Sequence, residues 1–241
     1  MDKKKQTIEA FWDDFAEEYA EIRQASTVPV VDTLKHYLLQ QQILPCGTFL
    51  DLAGGPGNYL TAFQELVTAY TLVDISSQML ALAQGKCQKH ARLLHASQAE
   101  FLSNASTYNV VFTAMNPALR TSAELYELLQ LATSWCLIFR MVKEDDELFS
   151  HYESVEDPDW QLNEVYKTYL TEEQIPFQSK MFTFEWIEEV DQQLFSDYFE
   201  EKFTHETLQL LIAQHFGKHT VRSVKHTVTY ELLLIDRRKN G

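Results

Sequence analysis

Apolar residues near the start of the chain recur every three or four positions between residues 8 and 22. This spacing places them on one face of a helix. Pro29 interrupts the pattern, and a second helix is predicted over residues 31–42. We therefore predict helices over residues 1–45, ahead of the main body of the fold.

After residue 47, short runs typical of β-strands alternate with runs of helical periodicity. Strands are predicted at residues 48–52, 69–73, 92–95, 108–113 and 135–142. Helices are predicted between them at 59–67, 77–84 and 122–133. Strict alternation of this kind is typical of an α/β fold with a parallel sheet, right-handed crossovers and helices on both faces. Two closing strands, predicted at 220–226 and 228–236, bring the sheet to seven strands.

Residues 144–203 break this pattern, because they are rich in aromatic and acidic side chains. They combine helical faces with one run of period two, at Phe182, Phe184 and Trp186. We predict that 144–203 form an inserted helical and aromatic substrate cap over the carboxyl edge of the sheet, where such folds bind ligands. The main domain then consists of residues 1–143 and 204–241.

The net charge of the chain indicates which kinds of molecule it can bind. The net charge is −15, and residues 144–206 carry 19 acidic side chains against three basic ones. Because such a surface repels phosphate backbones, no nucleic-acid partner is expected. We expect a small-molecule substrate instead, and the pattern gives no indication of oligomeric state.

Other features point to a cytoplasmic protein without a membrane partner or a metal. No apolar run approaches the ~20 residues that span a bilayer, and no signal-peptide segment is recognisable. The three cysteines are widely spaced and include no C-x-x-C pair, which argues against a disulfide framework and a zinc site.

A glycine-rich turn follows the first predicted strand and precedes a helix. It reads Ala53-Gly54-Gly55-Pro56-Gly57, and Asp74 stands at the end of the next strand. Glycines allow a close approach of the main chain to a ligand, and an acid at the second strand can accept hydrogen bonds from ribose hydroxyls. The dinucleotide fingerprint G-x-G-x-x-G fails, because Leu60 occupies the last glycine position when counted from Gly55.

The segment resembles motif I of the class I S-adenosylmethionine-dependent methyltransferases, an apolar strand followed by D-x-G-x-G-x-G. Asp51 matches the acid, Gly55 and Gly57 match the later glycines, and Ala53 replaces the first. The run that begins at Asp74 is similar to the family's second motif. The resemblance implies a Rossmann-like, doubly wound and mostly parallel seven-stranded sheet with an antiparallel last strand. It also implies S-adenosylmethionine as the cofactor.

The resemblance further implies roles for individual residues, all of them in cofactor binding. The main chain at Ala53, Gly54 and Gly55 would cradle the methionine part, with Asp51 holding its ammonium and Tyr19 reaching its carboxylate. Asp74 would bind the ribose, and Ile75 and Met79 would enclose the adenine. Ser97 or Gln98 would replace the acid that often contacts the adenine amino group, and Asn116 would lie beside the sulfonium.

The first hypothesis is therefore a small-molecule methyltransferase that works by in-line transfer, with its acceptor and its catalytic residues unassigned. A general base is needed only if the acceptor begins protonated, and His151 and Tyr152 are candidates for that role or for surface packing. Two alternatives remain open: a protein that binds S-adenosylmethionine or S-adenosylhomocysteine without catalysis, and a methyltransferase acting on protein or RNA.

Overall fold

The computed structural model describes residues 3–153 and 157–238. Ten α-helices and seven strands are found in these ranges. The helices are α1 (Lys3–Asp14), α2 (Ala16–Ala25), α3 (Val30–Gln40), α4 (Leu60–Phe63), α5 (Ser77–Gln84), α6 (Gln98–Leu102), α7 (Ser122–Gln130), α8 (Leu162–Glu172), α9 (Gln192–Phe199) and α10 (His205–Phe216). The strands are β1 (Cys46–Leu52), β2 (Val67–Asp74), β3 (Ala91–His95), β4 (Tyr108–Ala114), β5 (Ala132–Asp146), β6 (Phe177–Asp191) and β7 (Val221–Asp236).

All seven strands form one sheet in the order β3-β2-β1-β4-β5-β7-β6. The first five pair in parallel with their neighbours. The pairing of β7 with β5 is antiparallel, because Glu147 donates its N–H to Lys225 at 3.1 Å while Arg237 donates to Ser134 at 2.8 Å. The predicted Rossmann-like sheet of seven strands is confirmed, with antiparallel strands at its last positions.

The last two strands differ in detail from the sequence prediction. β6 lies within the acidic segment that was predicted as a cap, and β7 is one strand of 16 residues where two strands were predicted. The period-two run explains β6, since alternating side chains suit a strand. The ring of Trp186 stacks on that of His226 in β7, with the ring centroids 5.1 Å apart. No glycine or proline interrupts 226–228, so the chain continues as one strand.

The chain divides into two compact units. The first comprises Met1–Val142, Pro158–Phe182 and Tyr230–Gly241, and the second comprises Lys143–Asp157 and Thr183–Thr229. In the first unit, α8 belongs to the same buried apolar cluster as α7 and the parallel strands, through Leu162, Tyr166 and Leu170. The substrate-cap role of residues 144–203 stays a prediction.

The second unit has its own apolar core. Phe195 and Phe199 of α9 are fully buried, with ring centroids 5.0 Å apart. They cluster with Leu148, Phe216 of α10 and Val224 of β7. Aromatic pairs at this separation add to the stabilisation that comes from their buried area.

Within the described ranges, no helix is both long and apolar enough to cross a membrane. The same residues contain no group of three or more His, Cys, Asp or Glu side chains arranged to hold a metal ion.

A buried carboxylate ties α8 to the sheet inside the first unit. Glu231 of β7 is 1% exposed and pairs with Lys167 at 2.6 Å. Asn163 donates to Oε2 of Glu231 at 3.0 Å, and the Ser179 hydroxyl donates to Oε1, the oxygen that pairs with Lys167. Burial alone would raise the pKa of Glu231, but these hydrogen bonds, with Lys167 foremost, hold that pKa below its ordinary value.

We predict that Lys167→Met lowers the free energy of unfolding by roughly 1–3 kcal/mol, because Glu231 loses its cation while it remains buried. The double variant Lys167→Met/Glu231→Gln should regain part of this loss, since no buried charge is then left. Because the pKa of Glu231 is depressed, the stabilisation is present above the ordinary value of 4.5 and is lost as the pH falls below it. Urea unfolding at several pH values measures both effects, and equal stability of the single variant and the wild type at pH 7 would contradict the prediction.

Candidate cofactor-binding site

The turn after β1 depends on left-handed backbone conformations at alternate residues. Ala53, Gly55 and Gly57 have φ values of 58°, 54° and 74°. Glycine adopts such values without steric cost, whereas alanine is strained there by roughly 1–2 kcal/mol. Ala53, which replaces the first glycine of the motif, therefore adopts a conformation that favours glycine.

Gly54 lies against the strands beneath the turn. A Cβ atom at Gly54 would stand 2.6 Å from Cγ of Leu72 and 2.9 Å from Cγ of Asp51. Its N–H donates to the Val73 carbonyl of β2 at 3.1 Å. Only glycine fits this position, and its main chain is therefore drawn down onto β2.

The carboxylate of Asp74 joins the turn to the end of the second strand. It accepts the Gly55 N–H at 2.8 Å and the Ser76 N–H at 2.9 Å. Asp74 is 8% exposed, and burial raises its pKa while these two backbone hydrogen bonds oppose the rise. The acid predicted for the ribose thus stands directly beside the glycine turn.

Asp51, at the end of β1, is buried with one oxygen unpaired. The Tyr70 hydroxyl donates to its Oδ2 at 2.7 Å. Its Oδ1 has no hydrogen-bond partner among the residues that the structure describes. Burial raises the pKa of Asp51 to about 7, and the nearby charge of Asp74 adds to this rise while the Tyr70 hydrogen bond opposes it. A buried carboxylate oxygen without a donor is costly, so this atom is suited to a ligand that carries a cation.

A crevice opens along the turn and is covered from the side of α2. Its lining includes five of the residues predicted from the sequence, namely Tyr19, Asp51, Ala53, Gly54 and Gly55. It also includes residues that the sequence analysis missed: Arg23, Pro56, Asn58, Tyr59, Ala114 and Met115. Arg23 lies one helical turn after Tyr19, so the helical spacing contained a signal for it.

The cavity in this crevice measures about 30 Å³. This is space for about one water molecule. A ligand group larger than a water molecule therefore enters only if side chains of the lining move, and Tyr19 and Arg23 are the two that α2 contributes.

The predicted adenine contacts, Ile75 and Met79, do not line this crevice. Met79 is 2% exposed, and its Sδ would stand 3.9 Å from a Cβ on Gly55. The N-terminus of α5 is held by α1, because Asp13 accepts hydrogen bonds from the Ser76 hydroxyl at 2.6 Å and from the Gln78 N–H at 3.0 Å. Ile75 directly follows Asp74, and α1 therefore lies next to the predicted adenine position.

The three remaining predicted residues, Ser97, Gln98 and Asn116, form hydrogen bonds within the protein. Ser97 caps α6 in a reciprocal capping box with Glu100. Asn116 donates from Nδ2 to Oε1 of Gln98 at 2.8 Å, and Gln98 donates from Nε2 to the Ala118 carbonyl at 3.2 Å. These pairs brace the loop after β4, and a role of the three side chains in ligand binding stays a prediction.

A buried cation also forms a hydrogen bond with the loop after β4. Arg140 of β5 is 2% exposed and donates from Nη1 to the Asn116 carbonyl at 2.8 Å. Asp159 lies 3.4 Å from its Nη2 and also pairs with Arg120. The path of the main chain at the carboxyl end of β4 is therefore fixed by buried charge.

A glycine turn at the carboxyl end of β1, with an acid at the end of β2, defines the nucleotide-binding class of doubly wound α/β proteins. Residues 49–136 match the family model described as a methyltransferase domain. This match confirms the resemblance of residues 49–136 to the class I S-adenosylmethionine-dependent methyltransferases.

Solved structures share the fold at low sequence identity. A putative methyltransferase from Bacillus halodurans is 15% identical, with 85% of this chain and 99% of that chain covered and a TM-score of 0.51. The S-adenosylhomocysteine complex of magnesium protoporphyrin IX methyltransferase from Synechocystis is 11% identical, with 96% and 99% covered and a TM-score of 0.57. DhpI in its SAM–HEP complex is 13% identical, with 94% and 96% covered and a TM-score of 0.51. No curated protein matches the chain by sequence.

We predict that Gly54→Ala destabilises the protein by about 1–3 kcal/mol, because the new methyl group would overlap Leu72 and Asp51. Gly85→Ala is the matched control, since a Cβ there meets only the Leu82 carbonyl, at 3.7 Å, and its stability should stay within about 0.5 kcal/mol of the wild type. Denaturant unfolding measures both variants. Equal stabilities would show that the turn is not pressed against β1 and β2.

Proposed function

We propose that this protein transfers a methyl group from S-adenosylmethionine to a small molecule. The observation that carries the proposal is the unpaired Oδ1 of buried Asp51, in a crevice lined by a turn at which Gly54 has no room for a side chain. The same turn is bonded to Asp74, which stands where a ribose-binding acid is expected.

The charges around the crevice suit the amino-acid end of this cofactor. Asp51 offers an anionic oxygen for the ammonium, and Arg23 offers a cation for the carboxylate. Burial alone would lower the pKa of Arg23, but Tyr59, Tyr19 and Tyr230 raise it above its ordinary value, so the guanidinium stays charged. Tyr19 lines the same crevice and adds a hydroxyl donor near the carboxylate.

The same charges disfavour a dinucleotide. A pyrophosphate bound at the turn would bring negative charge next to the buried carboxylate of Asp51. A zwitterionic amino acid places opposite charges against Asp51 and Arg23 instead. The sequence also lacks the complete G-x-G-x-x-G fingerprint of dinucleotide-binding proteins.

For the nucleoside part, we assign the ribose to Asp74 and the adenine to Ile75 and Met79. The two Asp74 oxygens accept the N–H groups of Gly55 and Ser76, and a carboxylate has further acceptor positions for a ribose hydroxyl. Met79 offers a buried, polarisable side chain for the face of a ring. In this arrangement the N-terminal helices, over residues 1–45, lie over the cofactor.

The bound cofactor supplies an electrophilic methyl group on a sulfonium. The residues of this chain then have to orient the acceptor and exclude water. The buried Arg140 holds the Asn116 carbonyl and thereby fixes the loop after β4, beside which the acceptor would lie. No side chain is assigned as a general base.

The proposal of a small-molecule acceptor rests on charge. A net charge of −15 disfavours RNA as the acceptor. One similar fold belongs to a protein named for methylating a porphyrin, which is a small molecule. The predicted cap at 144–203 and a cytoplasmic location are part of the same proposal.

The proposed function is tested with methyl-labelled S-adenosylmethionine and three acceptor fractions of a cell extract: molecules below a small-molecule filter cut-off, RNA, and protein. The label should appear in the small-molecule fraction. Label in RNA or protein would contradict the proposed acceptor class, and cofactor binding without transfer to any fraction would favour the non-catalytic alternative. Boiled enzyme is the control for spontaneous methylation.

We predict that Asp74→Ala weakens S-adenosylhomocysteine binding by about 1–3 kcal/mol, because charged hydrogen bonds to the ribose are lost. Asp191→Ala is the matched control: Asp191 also accepts a backbone N–H, from Leu194 at 2.7 Å, but it lies in the second unit. The affinity of Asp191→Ala for S-adenosylhomocysteine should equal that of the wild type. Calorimetry measures both, and an unchanged affinity in Asp74→Ala would remove the ribose assignment.

A further inference from the structure

Tyr70 of β2 stands next to Asp51 in the sheet, and its side chain is buried. In the parallel register Phe49 pairs with Tyr70 and Asp51 pairs with Leu72. Side chains two positions apart on a strand share a face, so Tyr70 and Asp51 point to the same side of the sheet. The Tyr70 ring stacks on Phe49 with centroids 5.1 Å apart, which fixes the position of its hydroxyl.

The Tyr70 hydroxyl holds one oxygen of the carboxylate and leaves the other for the crevice. It donates to Oδ2 of Asp51 at 2.7 Å, whereas Oδ1 has no partner within the described part of the chain. Gly54 lies close to the same carboxylate, since a Cβ there would stand 2.9 Å from Cγ and from Oδ2. The carboxylate therefore lies against both the Tyr70 hydroxyl and the main chain of the turn.

We propose that Tyr70 is a positioning residue, which holds the carboxyl group of Asp51 by its Oδ2 and leaves Oδ1 for the ammonium of an amino-acid-bearing nucleoside. This inference rests on the proposed function, because it needs a cofactor with an ammonium group in the crevice.

The charged and titratable groups that face Asp51 define how it responds to pH. Asp74 disfavours its charge, Tyr70 favours it, and Tyr59, Tyr19 and Arg23 line the same crevice. With the pKa of Asp51 raised to about 7, the carboxylate is half protonated at neutral pH. Burial and the Asp51 charge raise the pKa of Tyr70 well above its ordinary value, so its hydroxyl remains a donor throughout.

Affinity for the ammonium-bearing ligand should therefore fall as the pH drops through about 7 in the wild type. Tyr70→Phe removes the hydrogen bond that favours the charged form, so the midpoint of the affinity curve moves to higher pH. If this midpoint moves by about one pH unit, Tyr70→Phe binds roughly fivefold more weakly than the wild type at pH 7 and nearly as tightly at about pH 9. A purely structural role of Tyr70 would lower affinity equally at every pH.

The test is calorimetric titration of the full-length protein with S-adenosylhomocysteine between about pH 5.5 and 9. A second ligand, 5′-methylthioadenosine, keeps the adenine and ribose but lacks the amino-acid end. The proteins are the wild type, Tyr70→Phe, Asp51→Asn and Tyr166→Phe. Tyr166 is the matched control, because it is also a buried tyrosine with a hydrogen-bonded hydroxyl. Its hydroxyl donates to the main-chain carbonyl of Leu119 and not to a carboxylate.

For S-adenosylhomocysteine, we expect the midpoint of the curve of affinity against pH to move to higher pH in Tyr70→Phe alone. In Asp51→Asn the affinity for this ligand should be weak and independent of pH. For 5′-methylthioadenosine, we expect no shift in any of the four proteins. Superimposed curves for Tyr70→Phe and the wild type would overturn the role of Tyr70, and the proposed function would remain. If the wild type binds neither ligand at any pH, the proposed function itself fails.

The wild type alone also provides a test that does not need a folded variant. Its affinity for S-adenosylhomocysteine should depend on pH, whereas its affinity for 5′-methylthioadenosine should not. The same pH dependence for both ligands would overturn the pairing of Asp51 with the ammonium, and with it the inference.

Discussion

The Asp74 carboxylate connects the main chain beyond two parallel strands. One oxygen accepts the Gly55 N–H and the other accepts the Ser76 N–H, so the turn after β1 and the start of α5 share one anion. Gly54 can lie on β2 only because it has no Cβ. If this connection were lost, the turn would rise from the sheet, and the crevice that contains Asp51 would lose its floor. The left-handed residues Ala53 and Gly55 keep the turn in place.

A buried anion, Asp51, and a cation, Arg23, line the same crevice, and this arrangement has a cost for the free protein. An unpaired carboxylate oxygen away from water is unfavourable, and burial accordingly raises the pKa of Asp51 to about 7. Binding sites frequently contain such groups, because a ligand that completes the pairing recovers the lost hydrogen bond. The same burial makes the site responsive to pH near neutrality, with Tyr70 opposing the loss of charge.

Much of the fold and part of the site could be predicted from the sequence, for identifiable reasons. The turn from Ala53 to Gly57 and the acid at Asp74 follow strands with clear apolar patterns, and both the spacing and the residue types are specific. Tyr19 was predicted by resemblance, but Arg23 was not, because an arginine on a helix resembles any exposed charged residue until its tertiary neighbours are known. The period-two run in β6 is visible in the sequence, but its place in the sheet is not, because that place depends on long-range pairing with β7. Ser97 and Gln98 show a further limit: a capping box and a side-chain pair use the same polar residues that a ligand would use.

The most direct measurement of the central claim is a thermal-shift panel of the purified protein with S-adenosylmethionine, S-adenosylhomocysteine, NAD and NADP. A ligand that binds only the folded state stabilises it by mass action, by about 2.7 kcal/mol at a hundredfold excess over its dissociation constant. The account predicts a rise in Tm with the two adenosyl amino acids and none with the nicotinamide dinucleotides. Stabilisation by NAD or NADP, with no effect of S-adenosylmethionine or S-adenosylhomocysteine, would contradict it.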